Sequence, residues 1–180
     1  MRLFDGAPVG VLAGIVFTTL LVVAAVGDIR HRRIPNSLVA TLAVLGVVFS
    51  VYGQGVTAGL LTAVQGFAIG LAVWLPFYLV GWLGAGDVKL YAAAGAWLGP
   101  ARTLEGALIA ALVGALLAFI WMLKSQGVGK ALATLGIAAG SPGILASGRD
   151  TVRTRPTLPY GVAIALGAIC AAWIPGLLFA

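Results

Sequence analysis

Apolar positions dominate the chain in long runs: Val9 to Val26, Leu38 to Tyr52, Ala58 to Val80, Val88 to Leu98, Gly106 to Leu123 and Leu158 to Phe179. A helix needs about 20 predominantly apolar residues to cross the hydrocarbon core of a bilayer. With polar or mobile ends counted in, the runs become spans over roughly 9–26, 37–52, 58–80, 88–99, 106–123 and 157–179. The pattern predicts an all-α, polytopic membrane bundle of about six transmembrane helices, one membrane-embedded domain over residues 1–180. Arg2 before the first run and Ala24-Ala25 at its close have the look of a signal peptide. The length of that run, Asp5 before it and the basic residues after it favour a retained span. Between Lys124 and Pro156 the chain is mixed and broken by Gly127, Gly129, Gly140, Ser141, Pro142 and Gly143; Lys130 to Ala139 is expected as a short interfacial helix.

Composition narrows the class. Only 16 of 180 residues are charged (11 basic, 5 acidic) and 61% are apolar. Soluble domains carry about a quarter charged residues, so a water-soluble globular domain is excluded. Six spans alternate the sides of the connections, which sorts the basic residues. Arg30, Arg32, Arg33, Lys89, Lys124, Lys130, Arg149, Arg153 and Arg155 fall on one side, and only Arg2 and Arg102 on the other. The positive-inside rule makes the first side cytoplasmic and both termini external, as expected for a multi-pass protein of the cytoplasmic (inner) membrane. The net charge of +6 therefore reports topology, and no nucleic-acid partner is expected, since no base-reading module accompanies it. Cys170, the single cysteine, excludes an internal disulfide and a Cys-based zinc site.

Glycines recur at four-residue spacing: Gly10 and Gly14, Gly55 and Gly59, Gly66 and Gly70, Gly95 and Gly99. Such pairs let helix backbones approach closely in lipid, which predicts tight packing within one bundle rather than a dedicated dimer interface.

The five acidic residues are Asp5, Asp28, Asp87, Glu105 and Asp150. Asp5 is terminal, and Glu105 and Asp150 are expected as solvated carboxylates of polar connections. Asp28 closes the first span and Asp87 opens the fourth, which puts both at the cytoplasmic membrane boundary. Asp28 has a bland alternative in pairing with Arg30 or Arg32, and Asp87 has one in capping the fourth helix. Their joint placement favours function, because carboxylates at membrane depth are costly. Two facing carboxylates divide acid and base work, share a proton and titrate as a unit. Gly84 and Gly86 before Asp87 let a substrate chain approach the carboxylate without a side-chain barrier.

Three local motifs resemble the type IV prepilin peptidases, membrane aspartic proteases of the Gly-x-Gly-Asp class. They are Asp28 with Ile34-Pro35-Asn36 beyond it, Gly84-Ala85-Gly86-Asp87-Val88-Lys89-Leu90, and Leu158-Pro159-Tyr160-Gly161 entering the last span. The resemblance implies that Asp28 and Asp87 are the catalytic pair and that Lys89 lies beside them. It also implies a prepilin or pseudopilin substrate, cut where its basic leader meets the apolar helix. Larger members of the family carry an amino-terminal region with paired Cys-x-x-Cys motifs associated with methylation. With eight residues before the first span and one cysteine, this chain is most similar to the short peptidases of tight-adherence (Flp-type) pili, and methyltransferase activity is not expected. Val162 stands where the family usually continues with Pro.

Water attack without a covalent intermediate follows for a carboxylate pair, and no metal or cofactor is expected. His31 is read as a topology or interface residue. The alternatives are a proton-coupled carrier and a non-catalytic subunit of a pilus or secretion assembly. A carrier usually holds its ligand groups near the midplane and shows related halves, which are not visible here. Capping aspartates in an assembly subunit would tolerate Asn at both positions. Presenilin-like Gly-x-Gly-Asp peptidases lack the Ile-Pro-Asn placement.

Overall fold

The computed structural model describes residues 8–126 and 160–174, and every described element is a helix. They are α1 (Pro8–His31), α2 (Asn36–Gln54), α3 (Val56–Leu79), α4 (Ala85–Gln126) and α5 (Tyr160–Trp173). Among the described residues four helices are long and apolar enough to cross a membrane: Val9–His31, Asn36–Gln54, Val56–Leu79 and Ala85–Ile120. α5 is shorter, at 14 residues. The interfacial helix expected over Lys130 to Ala139 lies outside the described residues, as do Pro159 and the ends of the last apolar run. The chain divides into two compact units, residues 1–113 with 159–180, and residues 114–158. The first carries all that follows.

α1 buries Gly14, Phe17, Leu21, Ala24 and Asp28. Steps of three and four residues place these on one helical face, so Asp28 ends the stripe that faces the bundle. α2 turns Val39, Leu42, Gly46 and Ser50 inward. α3 does the same with Gly59, Ala63, Gly66, Gly70 and Trp74. α2 and α3 form a hairpin through Gly55, whose φ of 83° is in the left-handed region that favours glycine. Ser50 Oγ donates to the Gly59 carbonyl across that hairpin at 2.9 Å.

The first part of α4 is the centre of the bundle: residues 90–99 are buried on every side. That explains why the sequence there is alanine-rich and why its apolar run needs no polar face. Close approach to α3 occurs at the reciprocal pair Gly66 and Gly95, where a Cβ on either would run into the other's carbonyl. Trp97 is gripped between Phe17 and Phe49, with ring centroids 5.3 and 5.5 Å away, and its indole N–H donates to the Leu42 carbonyl at 2.7 Å.

The fourth and fifth apolar runs lie within α4, but the helical backbone breaks between them at Gly99 (φ 71°, ψ 176°), followed by Pro100. The Tyr91 hydroxyl donates to the Thr103 carbonyl at 2.6 Å. In a straight helix those residues would stand about 18 Å apart along the axis, so the chain folds back here. The Thr103 hydroxyl closes the turn by donating to the Gly99 carbonyl at 2.6 Å. Of the glycines expected as packing residues, Gly55 is thus a turn residue instead, and Gly99 is a turn residue that also packs, its Cα 3.0 Å from where a Cβ on Gly66 would stand. The return brings Gly106 against Gly167 of α5 and buries Glu105 to 4% exposure. This corrects the expectation that Glu105 is a solvated connection carboxylate. It lies inside a helix whose neighbours the fold-back determines.

Candidate active site

Asp28 is held by two features of the chain around it. Its position on the inward stripe of α1 leaves it only 9% exposed. Its Oδ2 accepts the Gly161 N–H of α5 at 2.9 Å. α1 then ends: Arg32 donates its N–H to the Asp28 carbonyl at 2.9 Å and adopts a φ of 51°, the left-handed geometry that stops a helix. Proline at 35 restricts Ile34 to extended backbone, and Pro35 (φ −60°, ψ 132°) is the residue from which α2 starts at Asn36. The Ile-Pro-Asn segment is therefore a stop-and-restart device that sets the path between α1 and α2.

Asp87 is held locally. α3 ends at Leu79, Gly81 (φ 78°) reverses the chain, and Gly84 precedes α4. The Gly84 carbonyl accepts the Asp87 N–H at 3.2 Å, while Asp87 Oδ2 reaches back to accept the Gly84 N–H at 3.3 Å. This is the acidic half of a capping box, with the acid three residues after the cap accepting the cap's N–H; glycine has no side chain to return the bond, and its carbonyl takes the Asp87 N–H instead. The capping alternative for Asp87 is thus real, in the third position of the box rather than at the cap itself. It engages one carboxylate oxygen and leaves the carboxylate half-buried.

One cavity of about 340 Å³ joins the two, at the small end of the range for ligand pockets. Asp28 and Asp87 line it together with Ile34, Asn36, Gly84, Gly86 and Lys89. At Gly86 a Cβ would stand 3.5 Å from Ile34 Cβ, so the missing side chain lets the α1–α2 connection close over the start of α4. Arg32, Arg33 and Ala85 also line the cavity. The two arginines carry no signal in the sequence beyond charge, and they were counted there with the topology residues. Only the path of the Ile-Pro-Asn segment puts them on the cavity wall. Pro35 is not among the lining residues and acts through the start of α2. His31 is exposed at the end of α1 and is not among the lining residues.

Of the third motif, Pro159 lies outside the described residues. Tyr160 and Gly161 open α5, with the Tyr160 ring edge-on to Trp74 at 5.8 Å and its hydroxyl within electrostatic reach of Asp87. Trp74 is 2% exposed and meets Tyr91 in the same edge-on way at 5.8 Å. Among the described residues no three His, Cys, Asp or Glu side chains gather as a metal site.

These features define an all-helical membrane protein in which two carboxylates, distant in sequence and each engaged by a glycine N–H, open onto one cavity. The chain belongs to the type IV leader peptidase family, whose model matches residues 15–120, more than half of its length. It is 40% identical over 113 residues to a prepilin leader peptidase/N-methyltransferase of Xanthomonas campestris pv. campestris, covering 60% of this chain and 39% of that protein. A protein of the same description from Pectobacterium carotovorum subsp. carotovorum is 35% identical over 127 residues, 66% of this chain and 45% of the relative. A type 4 prepilin-like proteins leader peptide-processing enzyme of Escherichia coli O78:H11 is 27% identical over 176 residues, 92% of this chain and 53% of the relative. The chain thus spans about half the length, or less, of these relatives. No solved structure matches it significantly.

Proposed function

We propose that the protein is an intramembrane aspartic endopeptidase that removes leader peptides from type IV prepilin-like precursors, with Asp28 and Asp87 as the catalytic pair. The observation that carries this reading is the shared cavity: the two carboxylates line it from the ends of α1 and α4, each with its Oδ2 engaged by a backbone N–H.

In the proposed reaction one aspartate is ionised and the other protonated. The ionised carboxylate takes a proton from water as the water oxygen bonds to the scissile carbonyl carbon. The protonated carboxyl gives its proton to the carbonyl oxygen. The tetrahedral intermediate then breaks its C–N bond, and the leaving nitrogen takes a proton from the first aspartate. The intermediate's hydroxyl proton returns to the second, and both carboxylates end as they began. Helical backbone shields its carbonyls, so the substrate must be extended at the cut. The glycine-rich approach to Asp87 gives a chain room to lie against the carboxylate.

The substrate we propose is a Flp-type prepilin or pseudopilin, cut at the junction of leader and apolar helix. The location proposed for this site is the cytoplasmic boundary of the inner membrane, in a six-span topology with both termini outside; the bias of the basic residues to one side of the connections supports that reading. Cleavage of the leader, without methyl transfer, is the activity proposed. Co-expression with a prepilin tests the pair. Asp28→Asn and Asp87→Asn each abolish the shift from precursor to mature pilin on a gel while inserting normally. Because the two act as a unit, the double variant is little worse than either single one. Wild-type processing by either single variant sinks the assignment.

A further inference from the structure

We propose that Gly161 is a positioning residue of the site: its N–H orients the Asp28 carboxylate, and its lack of a side chain is what lets α5 come close enough to do so. The proposal rests on Asp28 being one of the catalytic pair.

The two residues are 133 positions apart, and the hydrogen bond between them is buried, at 2.9 Å from the Gly161 nitrogen to Asp28 Oδ2. A Cβ at 161 would stand 2.8 Å from that oxygen and 3.1 Å from both Cβ and Cγ of Asp28. Any larger residue must push aside either the carboxylate or the first turn of α5. Neither moves freely. Gly161 is the second residue of α5, so its N–H is one of the donors that an α-helix leaves without an internal partner, and Asp28 satisfies it. The residue before it, Tyr160, is wedged edge-on against the buried Trp74, which seats that turn on α3.

The partner aspartate is held differently. Asp87 takes its bond from Gly84, three residues away at the start of its own helix, a bond in which no residue of α5 takes part. Asp28 depends on α5 for the plane of its carboxylate. With Oδ2 engaged by Gly161, Oδ1 is the oxygen assigned to water and to Asp87. The first turn of α5 therefore sets the relation between the two carboxylates, and it does so through a backbone N–H that every substitution except proline keeps.

The test uses the full chain in lipid nanodiscs and removes the N–H without adding volume. Glycolate in place of glycine at 161, introduced by cell-free translation, turns the amide into an ester. A small misplacement of a catalytic group costs up to about a hundredfold in rate. The expected result is a fall in kcat of roughly ten- to a hundredfold with KM for the prepilin changed less than about threefold. Unchanged kcat overturns the proposal, as does a loss confined to KM. A melting experiment that needs no cleavage complements it. Gly161→Ala lowers the melting temperature of the wild-type chain, and lowers it far less in an Asp28→Ala background, where Oδ2 and Cγ are gone. An equal drop in both backgrounds overturns the contact. If instead Asp28→Asn processes prepilin normally, the assignment of Asp28 to the catalytic pair fails while the melting cycle still reads the Gly161–Asp28 coupling.

Discussion

Removing the hydroxyl of Tyr91 tests the fold-back on which the centre of the bundle depends. Tyr91 is fully buried, and its hydroxyl is bonded to the Thr103 carbonyl at 2.6 Å. Phe in its place keeps the ring against Trp74 but leaves that carbonyl without this donor. A buried acceptor that loses its partner costs about 1–3 kcal/mol, and hydrogen bonds between membrane helices are worth roughly 0.6–2, so about 1–2 kcal/mol is expected. At about 2–4 °C per kcal/mol for a chain of this size, Tyr91→Phe lowers the melting temperature by roughly 2–8 °C. Tryptophan fluorescence in nanodiscs follows the transition, since Trp74 lies edge-on to the substituted ring. Prepilin cleavage per folded molecule at 25 °C stays near wild type, because Asp87 is held by its own capping box rather than by Tyr91. An unchanged melting temperature would refute the fold-back bond. Lost cleavage at full stability would show that Tyr91 takes part in the reaction instead.

Gly66→Leu places a side chain where only the Gly95 backbone fits, so the variant yields little folded protein on detergent extraction; wild-type yield would contradict the α3–α4 approach. Gly99→Ala strains a backbone at φ 71°, ψ 176° and costs about 1–3 kcal/mol, read as a melting temperature lower by several degrees with cleavage retained. In a Cys170→Ser background, cysteines introduced at Arg33 and Lys89 on the cavity wall react with a membrane-impermeant maleimide in inverted vesicles, and not in intact spheroplasts. Labelling in spheroplasts would reverse the proposed topology. Arg33→Ala removes a wall charge without touching either carboxylate, so it alters KM for prepilin more than kcat.

Much of this protein was legible in its residues taken in order. Long apolar runs with few charges give membrane helices, because a bilayer leaves no other partner for the backbone of a lone apolar segment. Asp28 and Asp87 stood out for a related reason, since charge at the edge of such runs is costly enough to require an explanation. Gly84 and Gly86 could likewise be read as room beside a carboxylate, since a residue without a side chain means the same thing wherever it is placed.

Tertiary structure decided what depends on contacts between distant positions. That Gly99 reverses α4 while Gly95, four residues before it, meets Gly66 of α3 is invisible in the spacing, which is the same four residues in the Gly66–Gly70 pair. Glu105 looked like a solvated loop carboxylate until the reversal at Gly99 turned its helix against α5. Arg32 and Arg33 read as topology charges until the Ile-Pro-Asn segment carried them to the cavity. Chain order could nominate Asp28 and Asp87, but the bond from Gly161 to Asp28 joins residues 133 apart, and only packing determines which glycine meets which carboxylate. Local chemistry and solvent preference are written residue by residue; orientation is a property of neighbours that the fold alone brings together.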